Sequence, residues 1–159
     1  MTDQLRLMTE RLVSTSNAIC EEIPLAGTTG EDVLWIRKKF SSWKFPLPSE
    51  LLDIWALCAG TPQHDYDHSL LKSPLGIKSL DEPDVDVIAA YDVERYDILN
   101  LGSGYEVSLT INRDGQVSLD PMAFDMQPES FPYGFMEGFT KYVEAIEAEV
   151  ASGCYEEED

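Results

Sequence analysis

The stretch from Tyr96 to Leu119 limits the possible folds more than any other part of the chain. Ile98 and Leu101 precede Gly102-Ser103-Gly104. Val107, Leu109 and Ile111 then alternate with polar residues, Asn112-Arg113-Asp114-Gly115 supplies a turn, and Val117 and Leu119 resume the alternation. A period of two sends successive side chains to opposite faces of a strand, and an Asp-Gly pair accepts the backbone angles of a tight hairpin. The stretch therefore predicts antiparallel strands joined by tight turns. An isolated hairpin is marginal in water, so the rest of the chain must bring an apolar surface to cover it.

The flanking segments supply that surface. From Met136 to Ala151, Phe139, Tyr142, Val143, Ile146 and Val150 recur at three and four, with Glu144, Glu147 and Glu149 on the other face: a closing amphipathic helix. Between Asp3 and Glu22, Leu5, Met8, Leu12 and Ile19 recur at near-helical spacing, with Leu7 and Val13 broadening the stripe. Pro24 to Gly30 breaks that helix. Val33, Ile36 and Phe40 then mark a short second helix or an irregular helical turn. A third helix follows, with Pro48 in its first turn, Gly60 at the C′ position, and Leu51, Trp55 and Cys58 facing the core. Beyond Gly60 the chain reads as a long loop with one short strand, Leu75-Gly76-Ile77. Val87 to Tyr96 fits either a helix or a strand, and periodicity does not decide between them. The expectation is one α+β domain over residues 1–153, with N-terminal and C-terminal helices packed on one face of an antiparallel sheet, and a disordered acidic tail at 154–159.

Charge narrows the function classes. The 159 residues are 43% hydrophobic and 10% aromatic, outside the range of disordered chains, yet 30 acidic against 11 basic residues give a net charge of -19. The resulting negative potential, screened over about 8 Å at physiological salt, disfavours direct contact with nucleic acid or an anionic membrane. It accelerates encounter with a basic partner, and it also serves plain solubility. Cys20, Cys58 and Cys154 form no C-x-x-C pair and read as reduced thiols. The opening residues carry acid and amide early without an apolar run, so neither a signal peptide nor a membrane span is expected. With no heptad seam, the expected protein is a cytoplasmic monomer when free.

Little in the sequence suggests chemistry. His64-Asp65-x-Asp67-His68 offers nitrogen and oxygen donors, but the order matches no metal motif and Pro62 and Asp65 favour a loop, so no metal or other cofactor is expected. There is no G-x-S-x-G, and the two histidines lie beside each other away from any distinctive Ser or Cys, so no enzyme is expected. Gly102-Ser103-Gly104 lacks the third glycine and the Lys of nucleotide-binding loops and reads as a hairpin turn. Trp35 and Trp43 suit either recognition or packing, whereas Trp55, between Ile54 and Leu57, belongs in the core. The densest internal acid is Asp81, Glu82, Asp84, Asp86, Asp92, Glu94 and Asp97. With Asp65 and Asp67 these are the candidate partner-binding carboxylates, able to meet Arg or Lys on another protein, and a merely solvated face is the other reading.

In order and spacing, Leu47-Pro48-x-x-Leu51 with Trp55 and Gly60, the Gly104 turn, the strand Tyr105 to Asn112, Asp114-Gly115-x-Val117, and Gly138-Phe139-Thr140-x-Tyr142-Val143 resemble the SUKH superfamily. That superfamily includes bacterial immunity proteins against polymorphic toxins and fungal cell-wall synthesis regulators. The resemblance covers roughly Phe45 to the closing helix. The chain departs from the pattern in its long acidic middle, its longer first helix, and Ala59-Gly60 where the family often has Asn-Gly. The resemblance implies a non-enzymatic domain that binds and neutralises a cognate toxin protein. The excess acid suits a basic nuclease toxin, because carboxylates can occupy the Arg and Lys that would hold phosphate. The alternative is an intracellular regulator or scaffold that uses the same domain to hold another protein.

Overall fold

The computed structural model describes residues 1–65, 68–74, 97–121 and 127–155, the side chains of Asp65 and His68 excepted. Among these the element order is α1 (Asp3–Ile19), α2 (Gly30–Ser42), α3 (Ser49–Leu57), β1 (Gln63–Asp65), β2 (His68–Ser69), β3 (Ile98–Ser103), β4 (Ser108–Asn112), β5 (Val117–Ser118) and α4 (Phe135–Ala151). The expected strand at Leu75 to Ile77 and the open element at Val87 to Tyr96 lie outside the described residues.

β3, β4 and β5 form an antiparallel sheet in that order. The second turn is where the sequence puts it: the N–H of Gly115, at φ 77, donates to Asn112 O at 3.1 Å, and Asn112 Oδ1 accepts from the N–H groups of Asp114 and Gln116 at 3.0 Å each. The first turn is displaced. Gly102 and Ser103 end β3, and the chain reverses over the next four residues, closed by the Gly104 N–H to Val107 O at 2.8 Å. A bulge is the reason: Asn100 pairs with Thr110 and Gly102 with Leu109, so Leu101 is the extra residue and the strand runs further. Glycine at 102 serves close approach, since a Cβ there would stand 2.1 Å from Leu70 O.

Register sorts the sheet into two faces. Leu99, Leu109, Ile111 and Val117 share the apolar one, while Asn100, Ser103, Ser108, Thr110 and Ser118 share the other. The polar face is also buried, at 3% exposure or less for all five. Its groups are hydrogen-bonded, as burial demands: Asn100 Nδ2 donates to Thr110 Oγ1 at 3.1 Å and to the carbonyl of Gly102 at 3.4 Å, and the hydroxyls of Ser103 and Ser108 lie 3.0 Å apart.

α4 covers the apolar face, burying Phe139, Tyr142, Val143 and Ile146, and it comes closest at Gly138 against Val117. Val150, expected in the stripe, is half-buried. α1 lies against α4 and α3 through Leu5, Met8 and Leu12, and Arg11 clasps Glu147 of α4 with two hydrogen bonds. It stops at Ile19, short of the expected Glu22, where Cys20 is extended and caps the helix with its N–H on Ser16 O. α2 is a full helix of 13 residues, started by a capping box between Thr29 and Asp32, with Ile36 and Phe40 buried. Pro48 is the residue before α3 instead of its first turn. The helix ends at Leu57 with Cys58 as its cap, so Gly60, at φ 145, lies beyond the C′ position. Leu51, Trp55 and Cys58 are buried as expected, and α1 to α4 share one core with the sheet. The segment read as a loop around His64 holds an antiparallel pair, with Gln63 opposite Ser69 and Asp65 opposite His68.

Candidate protein-binding surface

Of the nine candidate carboxylates, Asp97 is described together with its side chain, and it is already engaged. It sits at φ 59 before β3 and accepts from Arg113 Nε at 2.9 Å. The backbone of Asp65 is in β1. Asp67, Asp81, Glu82, Asp84, Asp86, Asp92 and Glu94 lie outside the described residues.

The acid of the closing helix is not simply solvated either. Glu147 holds Arg11, and Glu149 accepts from the N–H groups of Tyr105 at 2.7 Å and Glu106 at 3.1 Å and from the Tyr155 hydroxyl at 2.9 Å. These two carboxylates tie helix to helix and helix to turn. Tyr155, in the segment assigned to a disordered tail, packs edge-on against Tyr105 at 4.7 Å and His64 at 5.2 Å. Burial, then its bond to Glu149, pushes the Tyr155 hydroxyl well above the ordinary tyrosine range. His64 is thus placed in an aromatic corner, and no group of three His, Cys, Asp or Glu side chains able to hold a metal ion occurs among the described residues.

A groove between α1 and α3 has the make-up of a protein-binding surface. Past Ile19 the chain runs extended. Leu25 N–H donates to Gly60 O at 2.9 Å, Ala26 bridges Cys58, and Thr28 N–H donates to Trp55 O at 2.9 Å, which pins the segment along the end of α3. Gly27 is required there, because a Cβ would stand 1.8 Å from Ala56 O. Pinned at one end and left by α1 at the other, the connection holds Ile23 away from the core at 88% exposure and Leu25 at 50%. Together with Val13, Leu57 and Pro24 they line a groove of about 570 Å³ whose edge carries Glu21 and Glu22. A partner that covered Ile23 would recover about 1.5–3 kcal/mol. Apolar centre with charged rim is the anatomy of a protein interface. Periodicity misses this site because it lies in a helix breaker. The available signal was two large apolar residues flanking a proline directly after two glutamates.

Trp35 and Trp43 are partly buried against the core, and Trp55 is wholly buried. No helix among the described residues is long and apolar enough to cross a membrane. No family model, no curated protein and no solved structure matches the chain.

Proposed function

We propose that this chain is a non-enzymatic, cytoplasmic immunity protein of the SUKH kind, which binds a cognate toxin with a basic surface and blocks it. The observation that carries this reading is the acid-rimmed groove around Ile23 on a chain of net charge -19. The helix-on-sheet architecture and the motifs between Leu47 and Val143 support it. The physical division of labour is simple. The field draws a basic toxin in and sets the association rate, and Ile23 and Leu25, once covered, slow its release.

Co-expression with the product of the neighbouring gene in a sensitive host tests the reading. The expected result is rescue of growth and a complex that co-purifies, lost when Ile23→Asp is combined with Leu25→Asp. The association rate should fall steeply with added salt. A salt-independent rate removes the electrostatic part, and a neighbour that is not toxic removes the immunity reading.

A further inference from the structure

Four of the eleven basic residues of this acidic chain, Arg37, Lys38, Lys39 and Lys44, fall in one short run at the end of α2. Arg11 and Arg113 are each paired with a carboxylate, Glu147 and Asp97. Arg37, Lys38 and Lys44 are exposed and none of the four pairs with a described carboxylate, while the Lys39 ammonium lies over the Trp43 ring at 5.3 Å.

Arg37 and Lys44 stand at the edge of a groove of about 450 Å³ with an apolar floor of Phe40, Phe45, Leu47 and Leu52. Phe40 and Phe45 lie beneath the groove at 1% and 2% exposure, and Phe40 meets Trp43 and Phe45 edge-on at 5.1 and 6.4 Å. The rim is held, since Arg113 donates to the carbonyls of Trp43 and Lys44 and fixes Lys44 in a left-handed conformation, φ 56. Leu34, one turn before Arg37 on α2, is 71% exposed and extends the apolar surface.

We infer that this groove docks an acidic peptide segment of a partner protein, with one apolar side chain against Leu47 and Leu52 above the buried Phe40 and Phe45, and flanking carboxylates on Arg37 and Lys44. Charge complementarity selects the occupant. Within about 8 Å a short segment feels the local positive cluster, whereas a long polyanion must also cross the acidic remainder of the molecule and is repelled. Tyr155 is fixed beside Glu149 at one end of α4, and the groove adjoins the other end of that helix through Pro46 and Leu47, which lie beside Phe135 and Met136. A groove of this sign takes a different segment from the acid-rimmed groove at Ile23, so the two tests are independent.

The test is to pan a displayed library of random dodecapeptides against the folded chain, and against the double variant Arg37→Glu with Lys44→Glu, whose exposed positions leave the core intact and whose fold is checked by circular dichroism. Enriched sequences should carry acidic residues around an apolar one. The best synthetic peptide should bind the variant at least tenfold more weakly, and its affinity should fall with added salt. Enrichment of neutral or basic sequences, no enrichment, or equal binding by a folded variant overturns the proposal. Displacement by polyphosphate at lower concentration than by peptide also overturns it, as does self-association of the chain that the double variant abolishes, which would make a second copy the occupant.

Discussion

Gly138→Ala sets two effects of opposite sign against each other in one methyl group. In an exposed helix the change would stabilise by up to about 1 kcal/mol. Here the added Cβ stands 2.4 Å from Val117 Cγ1, 2.5 Å from its Cβ and 3.0 Å from its Cγ2. Carbon atoms rest about 3.5–4.0 Å apart, so α4 and β5 must separate by roughly 1 Å. Val117 is poorly able to yield, since its backbone donates to and accepts from Tyr133 at 2.8 and 3.3 Å and is in register with Ile111. Overpacking costs about 1–3 kcal/mol, and with three short contacts the upper end applies, leaving a net loss of about 2 kcal/mol. For a chain this size the melting midpoint falls by roughly 4–8 °C. Urea unfolding followed by tryptophan fluorescence reads the loss directly. A cycle with Val117→Ala isolates its cause: that change alone costs about 1.6 kcal/mol for two methyl groups, but in the double variant it removes the two Cγ contacts while the Cβ contact stays, so the losses sum to less than additivity by about 1 kcal/mol. A Gly138→Ala chain as stable as the parent, or strict additivity in the cycle, would refute the close approach of α4 to the sheet.

Tyr142→Phe removes the hydroxyl that donates to Leu70 O at 2.7 Å and leaves that carbonyl buried, a cost of about 1–3 kcal/mol in urea unfolding. Burial also raises the Tyr142 hydroxyl well above its ordinary value of 10.0. With the folded value above the unfolded one, its contribution is complete below about pH 10 and declines above it by about 1.4 kcal/mol per pH unit; Tyr142→Phe should flatten the fall of the urea midpoint towards pH 11.5, and an unchanged slope would contradict this. Asp97→Asn breaks a largely exposed ion pair and should cost under about 1 kcal/mol, whereas Arg113→Ala also strands the carbonyls of Trp43 and Lys44 and should cost about 1–2 kcal/mol; equal losses would mean the carbonyl bonds contribute nothing. Alkylation followed by mass spectrometry should modify exposed Cys154 first and Cys58 last, because burial both shields the Cys58 thiol and pushes its pKa up; modification of Cys58 ahead of Cys154 would be inconsistent with this core.

What the sequence by itself determined is what depends on neighbours a few residues apart. The 3.6-residue repeat of Phe139, Tyr142, Val143 and Ile146, the period of two through Leu109 and Ile111, and the Asn112 to Gly115 turn are local properties, and the elements they predict are the elements observed. The α+β class follows, because such stripes and faces must cover one another. Contacts between residues far apart were decided by the tertiary structure. Glycine at 102 reads as a turn until the chain near Leu70 is laid beside it, and Glu147 and Glu149 read as a solvated helix face until Arg11, Tyr105 and Tyr155 arrive from elsewhere. Asp97 reads as free acid until β4 brings Arg113 within 3 Å. The proposed binding surfaces belong to the same class. Composition announces the acid, but whether a carboxylate meets a partner or an internal arginine, and whether Ile23 is covered or left in solvent, depends on where α1 ends relative to α3. No local pattern encodes that distance, because it is set by the packing of the whole core.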